Sequence, residues 1–276
     1  MSLAIQPAGA DFNDPSLPIL GHDRMLNGGT MALIDFANPK LYAAQNNSFL
    51  GVKNGVPDKG ATAYAPAGAG AVTFAGGGMD FNASTSGSPG LAIGTQAASG
   101  IEPTYDLSDL AADTSLLAIL WRKRTAAAST STQQLVNLTA GGTLGTGAQQ
   151  LGVAEYSGGL QLYYAGKQTL THGPPEVGAV EQLAWLIEPD ETNLVSVTAY
   201  KDGEEVGTFA LAYQALTPFG SAGGLRLGTA GLGMTGLIAP QGARLYRLLL
   251  ENVTLSTRDP ARQVARDYQL NLGRFS

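Results

Sequence analysis

The sequence predicts an all-β fold, an antiparallel jelly-roll β-sandwich with a short C-terminal helix and an irregular N-terminal arm. Three observations predict it. From Val72 onward, short runs of alternating apolar and polar residues recur between turn signals. Glycine supplies 37 of the 276 residues, about twice average usage, which suits many turns. One segment alone carries a helical pattern with capping signals.

Residues 1–64 read as an arm or lead-in. "ADFNDPSLPILG" and "VPDKGATAYAPAGAG" are clusters of turn formers, and between them "TMALIDFANPKLYAAQ" holds one short strand. Its apolar groups are too few for a core of their own, so the arm packs on the sandwich or on another subunit. Residues 65–276 form the sandwich. "AVTFAGG", "GMDFNAS" and "GLAIGT" are its first strands. "TSLLAILWRKRT" is apolar on both faces: Leu116, Ala118 and Leu120 share one, Leu117, Ile119 and Trp121 the other. That predicts a central strand, with Arg122-Lys123-Arg124 marking its exit to solvent.

"QQLVNLTAGG", "QQLGVAEYSGG", "LQLYYAGKQTL" and "VEQLAWLIEPD" continue the series. "LVSVTAYKDGEEVGTF" is a β-hairpin. Val195, Val197 and Ala199 alternate with polar neighbours before Asp202-Gly203, a two-residue turn that needs positive φ at its centre. The charged tip is expected in solvent. "GGLRLGTAG" and "GARLYRLLLENVTLS" close the sheet pattern. In "STRDPARQVARDYQLNLG", Asp259 caps a helix, Pro260 opens it and Gly273 follows its end.

Charge and composition exclude several function classes. Charged residues make up 14% of the chain and the net charge is −6, with no cysteine. Thiolate chemistry, disulfides and cysteine–zinc sites are therefore excluded. No basic run exceeds Arg122-Lys123-Arg124, so nucleic acid is not an expected partner. No apolar stretch reaches the length of a membrane span, and the first residues lack the pattern of a secretory signal. Seven of the 16 basic residues, all arginine, fall in residues 222–276 beside three acids. They are expected to pair within the chain or with an acidic neighbour.

At this point the residues resemble a known family. "LVSVTAYKDGEEVGTF" is similar to the hairpin of laminin G-like jelly rolls in the concanavalin A-like lectin and glucanase superfamily. "LRLGTAG", "MTGLIAPQGARLYRLLLENVTLS" and the following helix resemble the sequel there. "VTFAGGGMDF" resembles its early strand, and "LLAILWRKRT" its tryptophan-bearing central strand. The lead-in resembles those of such domains in structural proteins of tailed bacteriophages. The resemblance implies architecture more than activity. It also implies rim calcium sites, for which Asp80, Asn82, Asp106 and Asp109 are candidates by residue type. No other cofactor is expected.

The catalytic patterns in the chain are incomplete. Glucanases of that superfamily carry Glu-x-Asp-x-x-Glu on one strand. Glu188 and Asp190 begin the pattern, but position 193 is Asn and Pro189 disfavours a central strand. Gly231-Leu232-Gly233-Met234-Thr235-Gly236 matches a dinucleotide fingerprint but precedes a strand-like segment. His22 and His172 lack zinc spacing. The expectation is a chain that is not an enzyme. Its leading role is a structural virion protein of a tailed bacteriophage, in the capsid exterior or tail, made in the host cytoplasm. Other virion subunits are its expected partners, in a homo-oligomer with a trimer favoured. The alternative is a carbohydrate-binding adhesion module that recognises a host-surface glycan, with a glucanase third. Sugar recognition needs aromatic platforms beside polar groups. Tyr156, Tyr163, Tyr164 and Trp185 are the candidates, unless they serve packing.

Overall fold

The computed structural model describes residues 23–38, 42–43, 48–49, 61–64, 73–81, 91–94, 110, 114–139, 149–190, 194–216, 224–228 and 242–275. The early strands are β1 (Thr30–Asp35), β2 (Tyr42–Ala43), β3 (Ser48–Phe49), β4 (Ala61–Tyr64), β5 (Thr73–Ala75), β6 (Gly78–Asp80) and β7 (Leu91–Gly94). Then follow β8 (Leu116–Arg124), β9 (Gln133–Thr139), β10 (Gln149–Tyr156), β11 (Gly159–Tyr164) and β12 (Lys167–His172). The last strands are β13 (Val180–Pro189), β14 (Leu194–Lys201), β15 (Glu204–Ala212), β16 (Gly224–Leu227) and β17 (Ala243–Asn252). Helices α1 (Val253–Ser256) and α2 (Pro260–Asn271) follow.

These strands form two antiparallel sheets. One runs β15-β14-β13-β8-β17-β6-β5, with β1 also on β17; the other runs β12-β11-β10-β9-β16-β7-β4-β3-β2. The chain leaves the first sheet after β8, builds β9 to β12 in the second, and returns as β13 beside β8. This is an all-β sandwich, as the periodicity predicts. Part of the segment expected as an irregular lead-in contributes strands: β1 pairs with β17, and β2 to β4 extend the second sheet.

The alternation of β8 sorts two cores. Leu116, Ala118 and Leu120 join Trp185, Val195, Val197, Leu248 and residues of the second sheet between the layers. Leu117, Ile119 and Trp121 face the other way, under Val264, Tyr246 and Phe275. A register shift between β8 and β17 inserts Tyr246. Such a bulge re-aims the side chains beside it. Arg247 thereby joins Tyr246 on the outer face, although the next residue, Leu248, faces inward.

That outer layer is held by charge. The fully buried Arg247 guanidinium donates to Asp35 Oδ2 at 2.8 Å, Asp267 Oδ1 at 3.1 Å and both oxygens of Asp23. Asp35 lies directly opposite on β1, Asp23 precedes that strand, and Asp267 belongs to α2. Burial pulls the guanidinium pKa down, but the Asp267, Asp23 and Asp35 charges overcome it and hold it above its usual range. Asp267 also accepts from Trp121 Nε1 at 2.6 Å, and the Trp121 ring stacks on Tyr268. The cap of α2 is as predicted: Asp259 accepts from Arg262 N. Val264 is buried, whereas Leu272, at the C-cap, is exposed.

Arg247→Met should therefore destabilise the protein by about 3–5 kcal/mol, because three carboxylates would lose their buried cation. Denaturant unfolding measures this, and a change below about 1 kcal/mol would show that the cluster is not a structural hub.

Candidate functional site

The outermost strands of the two sheets, β12 and β15, approach each other at one edge of the sandwich. There a cavity of about 240 Å³ opens, lined by Arg122, Thr171, His172, Glu181, Lys201 and Val206, with Leu160, Leu183 and Gly173-Pro174-Pro175 completing its wall. Each strand delivers its residue by simple alternation. Arg122 continues the inward series Leu116, Ala118, Leu120. Glu181 continues Leu183, Trp185 and Ile187, and Lys201 continues Val195, Val197 and Ala199.

The Arg122-Lys123-Arg124 run does not leave the fold here, contrary to the sequence expectation. Arg122 and Arg124 are both fully buried. Glu155 of β10 reaches across from the second sheet and accepts from Arg122 Nη1 and, at 2.5 Å, from Arg124 Nη1. Glu181 accepts from Arg122 Nη2 at 3.0 Å and from Lys201 Nζ at 2.6 Å. Burial lowers the Arg124 pKa, with Glu155 opposing that and Arg122 adding to it. Opposite charge from a strand of the facing sheet and from the neighbouring strand is what lets the inward pattern run to the strand end.

His172 ties the two sheets together. Its Nε2 lies 3.0 Å from the Tyr200 carbonyl, so Nε2 carries the proton and donates. Nδ1 is then an acceptor, 3.0 Å from Thr171 Oγ1. Trp185 Nε1 donates to the same hydroxyl at 2.8 Å, whose own proton has two acceptors within reach, His172 Nδ1 and the Leu160 carbonyl at 3.4 Å. Burial is the largest influence on His172. It outweighs the Tyr200 hydrogen bond, and with Arg122 and Lys201 nearby it holds the imidazole pKa down to about 4.

The hairpin beside the cavity has the predicted turn, with φ of 53° at Asp202 and 88° at Gly203. Its tip is not free in solvent. Asp202 N donates to Gln182 O, Gln182 N donates to Asp202 Oδ1, and Gly203 N donates to Gln182 Oε1, all at 2.9 Å. Gln182 in turn donates to Asp267 of α2, so the outer layer fixes the turn that carries Lys201.

The predicted aromatic platform is divided. Trp185 is fully buried and meets His172 edge-on at 5.2 Å. Tyr164 is 2% exposed and belongs to the core between the sheets. Neither ring offers a face to a ligand. Tyr163 and Tyr156 are half-buried, and Tyr163 donates to Gln161 Oε1 on the outer side of β11. None of the four lines the cavity. Asp80 is buried against Arg244, at 2.8 Å. Asn82, Asp106 and Asp109 lie outside the described residues. Among the described residues no group of three or more His, Asp or Glu side chains is placed to hold a metal. Glu188 and Asp190 are exposed. The strand nevertheless continues through Glu188 to Pro189, which is tolerated as its last residue.

No family model matches the chain, and no curated protein matches it in sequence. Solved structures share its fold. Trypanosoma rangeli sialidase in complex with 2,3-difluorosialic acid aligns with a TM-score of 0.56 and 11% identity, over 90% of this chain and 34% of that one. The receptor binding domain of botulinum neurotoxin type G aligns with a TM-score of 0.51 and 7% identity, over 88% of this chain and 51% of that one. The binding domain of botulinum neurotoxin serotype D/C VPI 5993 gives 0.52 and 10%, over 85% and 53%. The chain thus spans about a third of the sialidase and half of the neurotoxin domains. Identity this low shows a common fold alone. The expectation that the chain is not an enzyme is corrected by these neighbours. Sialidases are enzymes, so a fold of this kind does not set catalysis aside.

The latch at His172 has a pH signature. Its folded pKa of about 4 lies below the ordinary 6.5. Between those values the unfolded chain binds the proton more readily, so stability falls as the pH drops through that window, by up to about 3 kcal/mol. His172→Gln, which keeps a donor but does not titrate, should flatten the dependence. Equal slopes for both proteins in denaturant melts from pH 7 to 4 would contradict the buried, neutral imidazole.

Proposed function

We propose that the chain is a carbohydrate-binding module that recognises a glycan on a receptor or cell surface, and that the cavity between β12 and β15 is its sugar subsite. The cavity is the observation that carries the reading. Glu181 and Lys201 bring charged hydrogen-bonding groups to its lining, and Pro174, Pro175, Val206, Leu160 and Leu183 form apolar wall. A sugar presents the same two aspects, hydroxyls around its rim and C–H groups on its faces. The volume lies just under the usual range of about 300–1,000 Å³ for ligand pockets, which suits one ring rather than a long oligosaccharide.

The neighbours support this reading. Two of them are binding domains of neurotoxins, one of them described as a receptor binding domain. The laminin G-like resemblance of the hairpin and of the tryptophan-bearing central strand supports the same lectin-like reading. The fold adds nothing in favour of the virion role expected from the sequence, so the carbohydrate-binding alternative takes precedence.

Val206 stands at the cavity with 48% of its surface exposed, so a larger side chain there can obstruct the site without disturbing the core. On a glycan array followed by calorimetry, the wild type should bind a sugar with micromolar to millimolar affinity. Val206→Trp should weaken that binding about tenfold or more at an unchanged melting temperature. Tyr163→Ala should leave it intact. Loss of binding in the Tyr163 variant with none in the Val206 variant would move the subsite to the outer face of β11.

A further inference from the structure

We infer that β15 is an interface strand, and that its partner is β15 of a second copy of this chain, paired antiparallel about a two-fold axis at Ala210. β15 ends the first sheet, and among the described residues no strand pairs with its outer side. Such a strand presents a row of backbone N–H and C=O groups to any strand that approaches. The other edges of the two sheets are guarded. β2 and β5 are only two and three residues long. β1 is buried along its whole length. β12 opens on Lys167 and runs into Gly173-Pro174-Pro175. Short length, cover, lysine and proline are the usual protections of an edge. β15 is nine residues long, and residues 206–212 of it contain neither a charge nor a proline. Thr208, Ala210 and Ala212 are exposed along it.

The register of β15 on β14 says where a partner fits. Gly207 lies opposite Ala199 and Glu205 opposite Tyr200, so Val206 is a bulged residue between them. From 207 to 212 the pairing is regular. A bulge twists an edge away from a newcomer, so the regular stretch is the part that can pair. An antiparallel copy centred on Ala210 uses that stretch alone. Thr208 then faces the partner's Ala212, and Phe209 faces the partner's Leu211. Phe209 and Leu211 lie on the inner side of β15, opposite Val197 and Val195, and Phe209 is only partly buried in a single copy. Their pairing extends the core between the sheets across the axis. On the outer side Thr208, Ala210 and Ala212 are too small to obstruct the approach, and the exposed Leu194, opposite Ala212 on β14, adds apolar surface. Charge selects the orientation. Glu204 and Glu205 fall beyond the partner's Ala212, whereas a parallel copy in register would set glutamate against glutamate. The two-fold consumes both free edges at once, so the assembly closes as a dimer and not as the trimer expected from the sequence. Val206 and the cavity stay outside the paired stretch. Two sugar sites in one particle would multiply a weak affinity on a surface, although the interface itself does not rest on the carbohydrate reading.

Sedimentation velocity of the full chain over a concentration series should show a monomer–dimer equilibrium with a dissociation constant in the micromolar range, as suits a short strand pair. Ala210→Lys, at an exposed position, should weaken the dimer about tenfold or more at an unchanged melting temperature, because like charges would meet at the axis. The chain has no cysteine, so Ala210→Cys introduces a lone thiol. Mild oxidation should link that variant into a covalent dimer, whereas Gln168→Cys on β12 should stay monomeric. Should Ala210→Lys lower the melting temperature, the two cysteine variants decide. A monomer throughout the series, a trimer, or a dimer that survives Ala210→Lys would overturn the proposal. Crosslinking through Gln168→Cys in place of Ala210→Cys would overturn it as well, by moving the contact to β12.

Discussion

Two guanidinium groups enclosed between sheets must meet opposite charge, and in this protein that requirement shapes one whole edge of the sandwich. Arg122 and Arg124 lie at the end of the central strand, on the face that packs the core. An unpaired charge there would cost several kcal/mol. Glu155 from the facing sheet and Glu181 from the neighbouring strand supply the compensation. The sheets are therefore joined at this edge by directional polar contacts where the rest of the interface is apolar. A lining of convergent donors and acceptors is the natural product of such an edge, and the cavity between β12 and β15 is where it reaches solvent.

The opposite face of the same central sheet repeats the device for another purpose. Arg247, turned outward by the bulge at Tyr246, gathers Asp23, Asp35 and Asp267 from three separated parts of the chain. Arg274 adds a second cation on Asp35. The arginine excess of the C-terminal segment is in good part consumed inside the molecule, where bidentate geometry suits guanidinium and carboxylate. The two clusters are connected. Asp267 holds Gln182, Gln182 holds the Asp202-Gly203 turn, and that turn ends the strand that places Lys201 at the cavity. The outer layer thus supports the position of a residue in the site.

Much of the fold is legible in the sequence because period-two patterns and tight turns are local signals. The alternation of Val195, Val197 and Ala199, the Asp202-Gly203 turn and the two-faced β8 all stand in the structure as the pattern implies. The β11–β12 hairpin within "LQLYYAGKQTL" is less visible. Its turn is Ala165-Gly166, with φ of 46° and 79°, and alanine is a poor advertisement for positive φ. The site is harder still. Arg122 beside a lysine and another arginine looks like a solvated strand end, and nothing local announces that Glu155 will face it from the other sheet. Tyr164 and Trp185 look like ligand platforms by residue type, yet strand parity puts both on the inward face. His172 lacks metal spacing in the sequence, and its role comes from a carbonyl and a hydroxyl that a sequence does not place.

A sugar lodged at the β12–β15 edge is the central claim, and chemical-shift mapping addresses it directly. Titrating the isotope-labelled protein with the glycan selected on the array should shift the amide and side-chain signals of Thr171, His172, Lys201 and Val206, while Tyr156 and Tyr163 stay in place. Shifts confined to Tyr156, Tyr163 and their neighbours on the outer face of the second sheet, with the cavity residues unmoved, would contradict the account.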